Sequence, residues 1–175
     1  MTETQTGVRV ALAAEGSANV STGLPVLDHL VSELARTARF RLSLEVAPGS
    51  ADAAAAAAGR ALGGALADRL RAPGAAAAGW ALVPAEEALA LAALEISDPS
   101  LFVTNVDFSG QSVGGLSTDV ASSFLRELAE SGHLNLHVRL VEGTDPQHVL
   151  AAIFKAVGAA LGQACRPVPE AKEES

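Results

Sequence analysis

The chain has 175 residues, of which 49% are hydrophobic and 18% are charged, so its composition excludes an intrinsically disordered protein. This length suits one domain, or two small half-domains that share a core. Only 3% of the residues are aromatic, so alanine, leucine and valine must fill the core. The formal net charge of −8 argues against nucleic acid and anionic membranes as partners, because phosphate binding needs a concentrated basic surface.

The same composition predicts a cytoplasmic protein. No run approaches the roughly 20 apolar residues of a membrane-spanning helix, and the polar start MTETQTG lacks the pattern of a secretory signal. The single cysteine, Cys165, excludes an internal disulfide framework. Its place in a late alanine-rich segment predicts a packed, unreactive thiol.

In the first half of the chain, strand patterns and helix patterns alternate. Apolar residues alternate with other residues over 8–12, which predicts a strand that ends near Glu15-Gly16. Helical spacing of apolar residues from Val26 to Leu34 then predicts a helix. Strict alternation over Phe40–Val46 predicts a second strand, and the alanine-rich run Ala51–Leu70 predicts a second helix.

The second half begins with extended segments and ends as the first half does. Strands are predicted over Trp80–Val83 and Glu87–Ile96. A further strand is predicted over Leu101–Phe108, and it ends at the Ser109-Gly110 turn. The remaining predicted elements are a helix, a strand and a helix, over Thr118–Ser131, Leu134–Leu140 and Asp145–Ala164.

The two halves of the chain repeat each other. SELARTARFRLSLEVAPGSADAA (Ser32–Ala54) aligns without a gap with RELAESGHLNLHVRLVEGTDPQH (Arg126–His148), so internal duplication is the favoured interpretation. A repeated helix–strand–helix unit with additional strands predicts an α+β fold, a duplicated half-domain with two sheets that each carry two helices on one face. The predicted parts are half-domains 1–85 and 86–165 and an acidic, flexible tail, 166–175.

Several motifs in order resemble one family. STGLPVLDHLVSELAR is similar to the Thr-Gly-x-x-Phe-Leu-Asp-His-Met signature of imidazoleglycerol-phosphate dehydratases, which serve histidine biosynthesis. ALVPAEEALALAALEIS, NLHVRLVEG and HVLAAIFKAVGAALGQA also resemble that family, as does the opening Glu3-Thr4-Gln5. The resemblance implies a duplicated α+β half-domain and twenty-four-subunit cages built from trimers, with active sites between subunits.

The resemblance also implies a metal-dependent elimination of water. Family members hold a pair of manganese ions, chiefly through two His-His-x-x-Glu motifs, and a glutamate assists proton removal. Such a motif puts three nitrogen and oxygen ligands on one turn of a helix. In this chain the first motif falls on Asp52, Ala53 and Ala56, and the second on Gln147, His148 and Ala151. Both motifs have therefore lost ligands.

The residues that survive from the family's site are few. The remaining candidate metal ligands are His29, Asp52, His137 and His148. Glu3 matches a vestigial catalytic position, and Lys155 matches the lysine that helps to hold the substrate phosphate. The family's phosphate-binding arginine is replaced by Pro99, and its C-terminal Ser-Thr-Lys-Gly segment is absent. Phosphate binding has therefore lost cationic donors.

Each survivor also has a purely structural interpretation. His29 is either a ligand that Asp28 orients or a residue that stabilises its helix. His137 and His148 are more typical of satisfied core or interface histidines once their co-ligands are gone, and His133 is expected in solvent. The only tryptophan, Trp80, favours a core or interface role. Glu86 and Glu87, which match an Asp-Glu pair of the family, fit polar interface residues.

Two functions are compatible with these residues. The first is a pseudoenzyme that keeps the family's fold and assembly and acts as a scaffold or as the partner of an active paralogue, with no cofactor. The second is a working dehydratase or derived lyase that holds manganese through His29, Asp52, His137 and His148. Replacement of ligands by alanine favours the first. In either case we expect a homo-oligomer, a trimer before a complete cage, because an alanine-rich chain buries little surface per residue.

Overall fold

A computed structural model describes residues 6–169 of the chain, so the expected catalytic Glu3 and the end of the acidic tail lie outside the described residues. The strands are β1 (Gly7–Leu12), β2 (Ser17–Ser21), β3 (Phe40–Glu45), β4 (Ala78–Ala85), β5 (Ala88–Ile96), β6 (Leu101–Thr104), β7 (Ser112–Val113), β8 (Leu116–Ser117) and β9 (Leu134–Glu142). The helices are α1 (Pro25–Ala38), α2 (Ala51–Leu70), α3 (Thr118–Gly132) and α4 (Pro146–Ala164). Two sheets and four helices form the predicted α+β fold.

The two sheets share one core topology. In the first sheet, β3 lies between antiparallel β1 and parallel β2. In the second sheet, β9 lies in the same way between antiparallel β5 and parallel β6. The two strands with the strictest alternation in the sequence are thus the central strands of these three-stranded units.

The hairpin of β4 and β5 adds an edge to the second sheet. β4 pairs with β5 along its whole length, which gives the order β4-β5-β9-β6. The half-domain boundary predicted after residue 85 falls at the turn of this hairpin, so β4 belongs to the sheet of the second half.

Three details differ from the sequence-based expectations. The short segment Ser17–Ser21 forms β2, in which only two small apolar residues, Ala18 and Val20, carry the alternation. The strand predicted over Leu101–Phe108 ends at Thr104. At the next residue the Asn105 side chain, and not its backbone, bonds to β9: its amide nitrogen donates to the Leu140 carbonyl, and its oxygen accepts from the Leu140 N–H. The chain then forms the small β7–β8 hairpin.

The helices lie between the sheets and make the core. Alternate residues of β3 (Phe40, Leu42, Leu44) are buried beneath α1 and α2, while the residues between them are exposed. α4 lies against β4 and β5, and twelve of its residues are buried. Phe124 of α3 stacks on Phe154 of α4 at 5.5 Å between ring centroids. In the described part of the chain no helix is long and apolar enough to span a membrane.

Glycines allow helices of opposite halves to approach closely. A methyl group at Gly63 of α2 would stand 2.6 Å from the Leu128 carbonyl oxygen of α3, and one at Gly158 of α4 would collide with the Leu34 carbonyl of α1. After α4, the Arg166 guanidinium donates to four carbonyl oxygens, those of Ala13, Ala38, Arg39 and Gly162. The close helix contacts at these glycines and the hydrogen bonds of Arg166 both hold the two halves together in one core.

Substitution at adjacent glycines of α2 tests this packing. We expect Gly63→Ala to lower the free energy of unfolding by about 1–3 kcal/mol, because the methyl group forces two backbones apart. A methyl group at Gly64 would meet no atom within 4 Å, so Gly64→Ala should raise stability by up to about 1 kcal/mol through helix propensity. Urea unfolding of both variants measures the difference, and equal effects would contradict the close contact.

Candidate functional site

A cavity of about 490 Å³ brings three of the predicted site residues together. His29 comes from α1, and His148 and Lys155 come from the beginning and middle of α4. α1 packs directly on α4, which is why residues distant in sequence share this space. The cavity is completed by the β4–β5 turn and the β7–β8 hairpin, with Glu86, Val113, Gly114 and Gln147 in its lining.

Asp28, the neighbour of His29, binds the turn that precedes their helix. The Asp28 carboxylate accepts hydrogen bonds from the backbone N–H of Thr22 at 2.9 Å and from the Thr22 hydroxyl at 2.5 Å. This link closes the turn that leads into α1. Both bonds use Asp28 Oδ1, and an orienting role of Asp28 toward His29 stays a prediction.

His148 is held by Glu87 from the β4–β5 hairpin. One carboxylate oxygen of Glu87 lies 2.5 Å from His148 Nδ1, and the other accepts from the backbone N–H of Asp145 at 3.2 Å. The hydrogen bond with Glu87 raises the pKa of His148. The pKa of Glu87 is lowered, first by its own backbone N–H and then by His148. The Glu87–His148 pair therefore fastens the hairpin to the first turn of α4.

Lys155 faces an acidic neighbour across the cavity wall. Its Nζ lies 3.9 Å from Glu33 Oε2, and the other oxygen of Glu33 accepts from Arg36 at 2.9 Å. The positive charge of Lys155 is thus partly balanced before any ligand enters. Sequence reasoning missed Glu33, since a charged residue on an amphipathic helix gives no sign of the helix that will pack beside it.

The two degenerate motifs occupy equivalent positions at the starts of α2 and α4. The N-caps are Ser50 and Asp145, whose side chains accept from Ala53 N–H and Gln147 N–H. Counted from these N-caps, each motif occupies the second, third and sixth residues of its helix. The structural alignment of the two helices therefore differs by one residue from the gapless sequence alignment of the two halves. The equivalent positions carry Asp52, Ala53 and Ala56 in α2, and Gln147, His148 and Ala151 in α4.

The candidate metal ligands do not meet within one chain. Asp52 is exposed at the start of α2, and His137 is exposed on the outer face of the second sheet, away from the cavity of His29 and His148. Among residues 6–169 no three side chains of His, Cys, Asp or Glu lie close enough together to hold a metal ion. The donor set, with alanine at three of six motif positions, does not fit a pair of manganese ions.

Three further residues differ in environment. Trp80, expected in a core or an interface, is 65% exposed, so a core role is wrong. His133 is exposed at the C-cap of α3, as expected for a solvated residue. Cys165 is buried, and this burial raises its pKa to about 11, which fits the expected unreactive thiol.

Comparison with known proteins gives one family. A family model described as imidazoleglycerol-phosphate dehydratase matches residues 22–161. Proteins of that name from Desulforudis audaxviator and Moorella thermoacetica are 35% and 34% identical to this chain. Each alignment covers 93% of this chain, with 86% and 85% of the respective relatives.

Solved structures agree on the fold. Imidazoleglycerol-phosphate dehydratase from Staphylococcus aureus superposes with a TM-score of 0.85 at 24% identity, covering 96% of this chain and 97% of that one. The enzyme from Pyrococcus furiosus, solved in complex with (S)-C348, gives a TM-score of 0.79 at 21% identity. That alignment covers 99% of this chain and 97% of the archaeal one.

The Glu87–His148 pair predicts a specific pH dependence. Because the pKa of His148 is raised, its stabilising contribution is complete below the ordinary imidazole pKa and is lost as the pH rises through the raised value. Because the pKa of Glu87 is lowered, its contribution is present above the ordinary carboxylate pKa and is lost as the pH falls through the lowered value. The stabilising contribution of the pair is therefore complete between the ordinary carboxylate pKa and the ordinary imidazole pKa, and it is lost beyond the two shifted values.

An NMR titration of the His148 ring checks this pair. We expect Glu87→Gln to lower the pKa of His148, since it removes the charged acceptor. The control Glu86→Gln changes a neighbouring carboxylate whose influence on His148 is the smallest of those that raise its pKa. An equal effect of the two variants would contradict the direct hydrogen bond.

Proposed function

Because this chain belongs to the imidazoleglycerol-phosphate dehydratase family, we propose that it is a non-catalytic member, a pseudoenzyme that keeps the family's fold and acts as an oligomeric scaffold or partner. An active paralogue is one protein such a scaffold would serve. The observation that carries this proposal is the alanine at positions 53, 56 and 151, where the resemblance implies metal ligands. Alanine offers no lone pair to a metal ion.

The remaining donors are few and lie apart from one another within one chain. The Glu87 carboxylate holds His148 through Nδ1, which leaves Nε2 as the ring nitrogen open to a metal ion. A reduced metal site of His29, Asp52, His137 and His148 would need several copies of the chain, since these residues lie in separate places. Even a single divalent ion would then have few charged ligands.

Substrate phosphate also meets fewer cations than the family resemblance implies. Proline stands at position 99, where the resemblance implies an arginine, and Lys155 is partly balanced by Glu33. With a net charge of −8, the chain as a whole repels an anionic substrate. In this proposal the protein is cytoplasmic and holds no resident cofactor.

Self-association is supported by apolar side chains at one edge of the second sheet. On the edge strand β6, Leu101 is 54% exposed and Val103 is 39% exposed. Clustered exposed apolar residues of this kind mark interaction surfaces. The proposed assembly is a trimer, and a twenty-four-chain cage is the larger alternative, because lost metal ligands would weaken contacts between trimers.

The proposal predicts that restoring the two motifs restores metal binding. The variant carries Asp52→His, Ala53→His, Ala56→Glu, Gln147→His and Ala151→Glu. These positions are exposed or half-buried, so the fold can accept them. We expect manganese affinity at least about 100-fold above that of the wild-type protein, since single supporting groups alone are worth about 10- to 100-fold. Metal analysis after dialysis measures it.

A control variant separates a built site from surface histidines. Arg60→His with Asp68→His adds two imidazoles to exposed positions of α2 away from its first turn, and should not gain manganese. Stoichiometric manganese in the wild-type protein would contradict the pseudoenzyme proposal and favour the reduced-site enzyme.

The assembly proposal predicts a mass of about 53 kDa, three times the 17.6 kDa of one chain. Light scattering after size exclusion in metal-free buffer measures this mass. Leu101→Arg with Val103→Arg should reduce it, because charge is costly inside an apolar contact. Leu12→Arg, at an exposed apolar residue of the first sheet, is the control. A wild-type mass of one chain contradicts self-association, and a twenty-four-chain particle contradicts the trimer.

A further inference from the structure

A second cavity, of about 780 Å³, opens on the other side of the molecule. It lies where the outer face of the second sheet meets the segment after α4, and its lining includes Trp80, Ala93, Asn135, His137 and Pro167. Its volume is within the range of about 300–1,000 Å³ that small-molecule sites occupy. The cavity shares no lining residue with that of His29 and His148.

The pairing of strands makes a slot in this cavity. Trp80 of β4 pairs with Ala93 of β5, and Ala93 pairs with His137 of β9, so the three residues form one row across the sheet. Neighbouring strands are about 4.8 Å apart, which puts the backbones of Trp80 and His137 about 10 Å from each other. The small Ala93 side chain leaves the space between the two rings open. A planar ring standing there lies within stacking range of both, about 5 Å from each.

A buried hydrogen-bond acceptor lies beside the slot. The Asn135 side-chain oxygen is inaccessible to solvent and has no hydrogen-bond partner among the described residues. Asn135 is two residues before His137 on β9, so both side chains are on the same face, about 7 Å apart along the strand. A buried acceptor without a donor is costly, and a ligand that supplies an N–H would satisfy it.

Packing behind the sheet fixes the position of Trp80. The Trp80 backbone N–H donates to the Gln163 side chain of α4 at 3.2 Å. The preceding Gly79 lies so close to the Ala160 carbonyl that a methyl group there would collide with it. The strand thus follows α4 closely, and the exposed Trp80 ring is presented on a fixed backbone.

We propose that this cavity binds a neutral planar heteroaromatic molecule that carries an N–H donor. The ring stacks between Trp80 and His137, and the Asn135 amide turns toward the cavity so that its oxygen, which solvent does not reach in the free chain, accepts the N–H. The lining contains both positive residues, Arg39 and Arg166, and a negative one, Glu95, so it does not favour a charged ligand. The Arg166 guanidinium already donates to four carbonyl oxygens. The site adjoins the surface proposed for self-association, because Val103 of β6 pairs with His137 and Leu101 pairs with Asn135.

Saturation-transfer NMR with two matched probes tests the site and tolerates any assembly size. Indole carries the N–H donor, and 1-methylindole has the same ring system without it. We expect wild-type protein to bind indole about fivefold more tightly than 1-methylindole, which corresponds to one ordinary hydrogen bond. Asn135→Ala should abolish this discrimination.

Variants on β4 test the stacking. Trp80→Ala should weaken indole binding about tenfold, the upper end expected for an aromatic pair, and Trp80→Phe should retain most of the affinity. Leu82→Ala removes another exposed apolar side chain of β4 that does not line the cavity, and should change nothing. Circular dichroism confirms that each variant is folded.

Three results would overturn the proposal. The first is no saturation transfer to indole at millimolar concentration. The second is equal affinity of the wild-type protein for the two probes. The third is that Trp80→Ala and Leu82→Ala change indole affinity equally. None of these outcomes bears on manganese content or assembly mass, so failure here leaves the pseudoenzyme proposal standing on its own test.

Discussion

The fold depends on backbone contact between helices that belong to opposite halves of the chain. Gly63 and Gly158 each stand thirteen residues after the N-cap of their helix, and each meets the carbonyl of a leucine at the equivalent place in α3 or α1. With so few aromatic side chains, the core can be dense only if the helix axes come close together. The many alanines and glycines of α2 and α4 serve this close approach.

This constraint explains how a ligand set could be lost without loss of the fold. In α2 the buried positions Ala54, Ala55 and Ala58 must stay small because they face the core. Positions 52, 53 and 56 point to the exposed or half-buried side of the same helix turns. In the proposed pseudoenzyme, aspartate or alanine in place of histidine and glutamate at these positions removes metal ligands and costs no core packing. Packing and chemistry are thus carried by different faces of one helix.

Much of the fold followed from the sequence because its strongest periodicities lie in its most central elements. Phe40–Glu45 and Leu134–Glu142 alternate clearly since one face of each central strand is buried. The strand Ser17–Ser21 was not predicted because its alternation depends on only two small apolar residues, Ala18 and Val20. The alignment of the two halves moved by one residue at the start of α4 because the N-cap Asp145, and not the loop glycine, sets where that helix begins.

The candidate sites were less predictable than the fold. Motif order identified His29, His148 and Lys155, but only the packing of α1 on α4 places them in one cavity. The partners that decide their behaviour, Glu87 and Glu33, come from elements whose position sequence periodicity does not reveal. The buried side-chain oxygen of Asn135, which has no hydrogen-bond partner among the described residues, is a property of the folded chain alone.

Turnover of imidazoleglycerol phosphate decides whether this chain is a pseudoenzyme. The purified protein and its relative from Desulforudis audaxviator would be assayed side by side with saturating manganese. We expect product formation by the relative and none above the protein-free rate by this chain. Manganese-dependent turnover by the wild-type chain that disappears in His148→Ala would contradict the pseudoenzyme proposal, and would show that the surviving donors still assemble a working site.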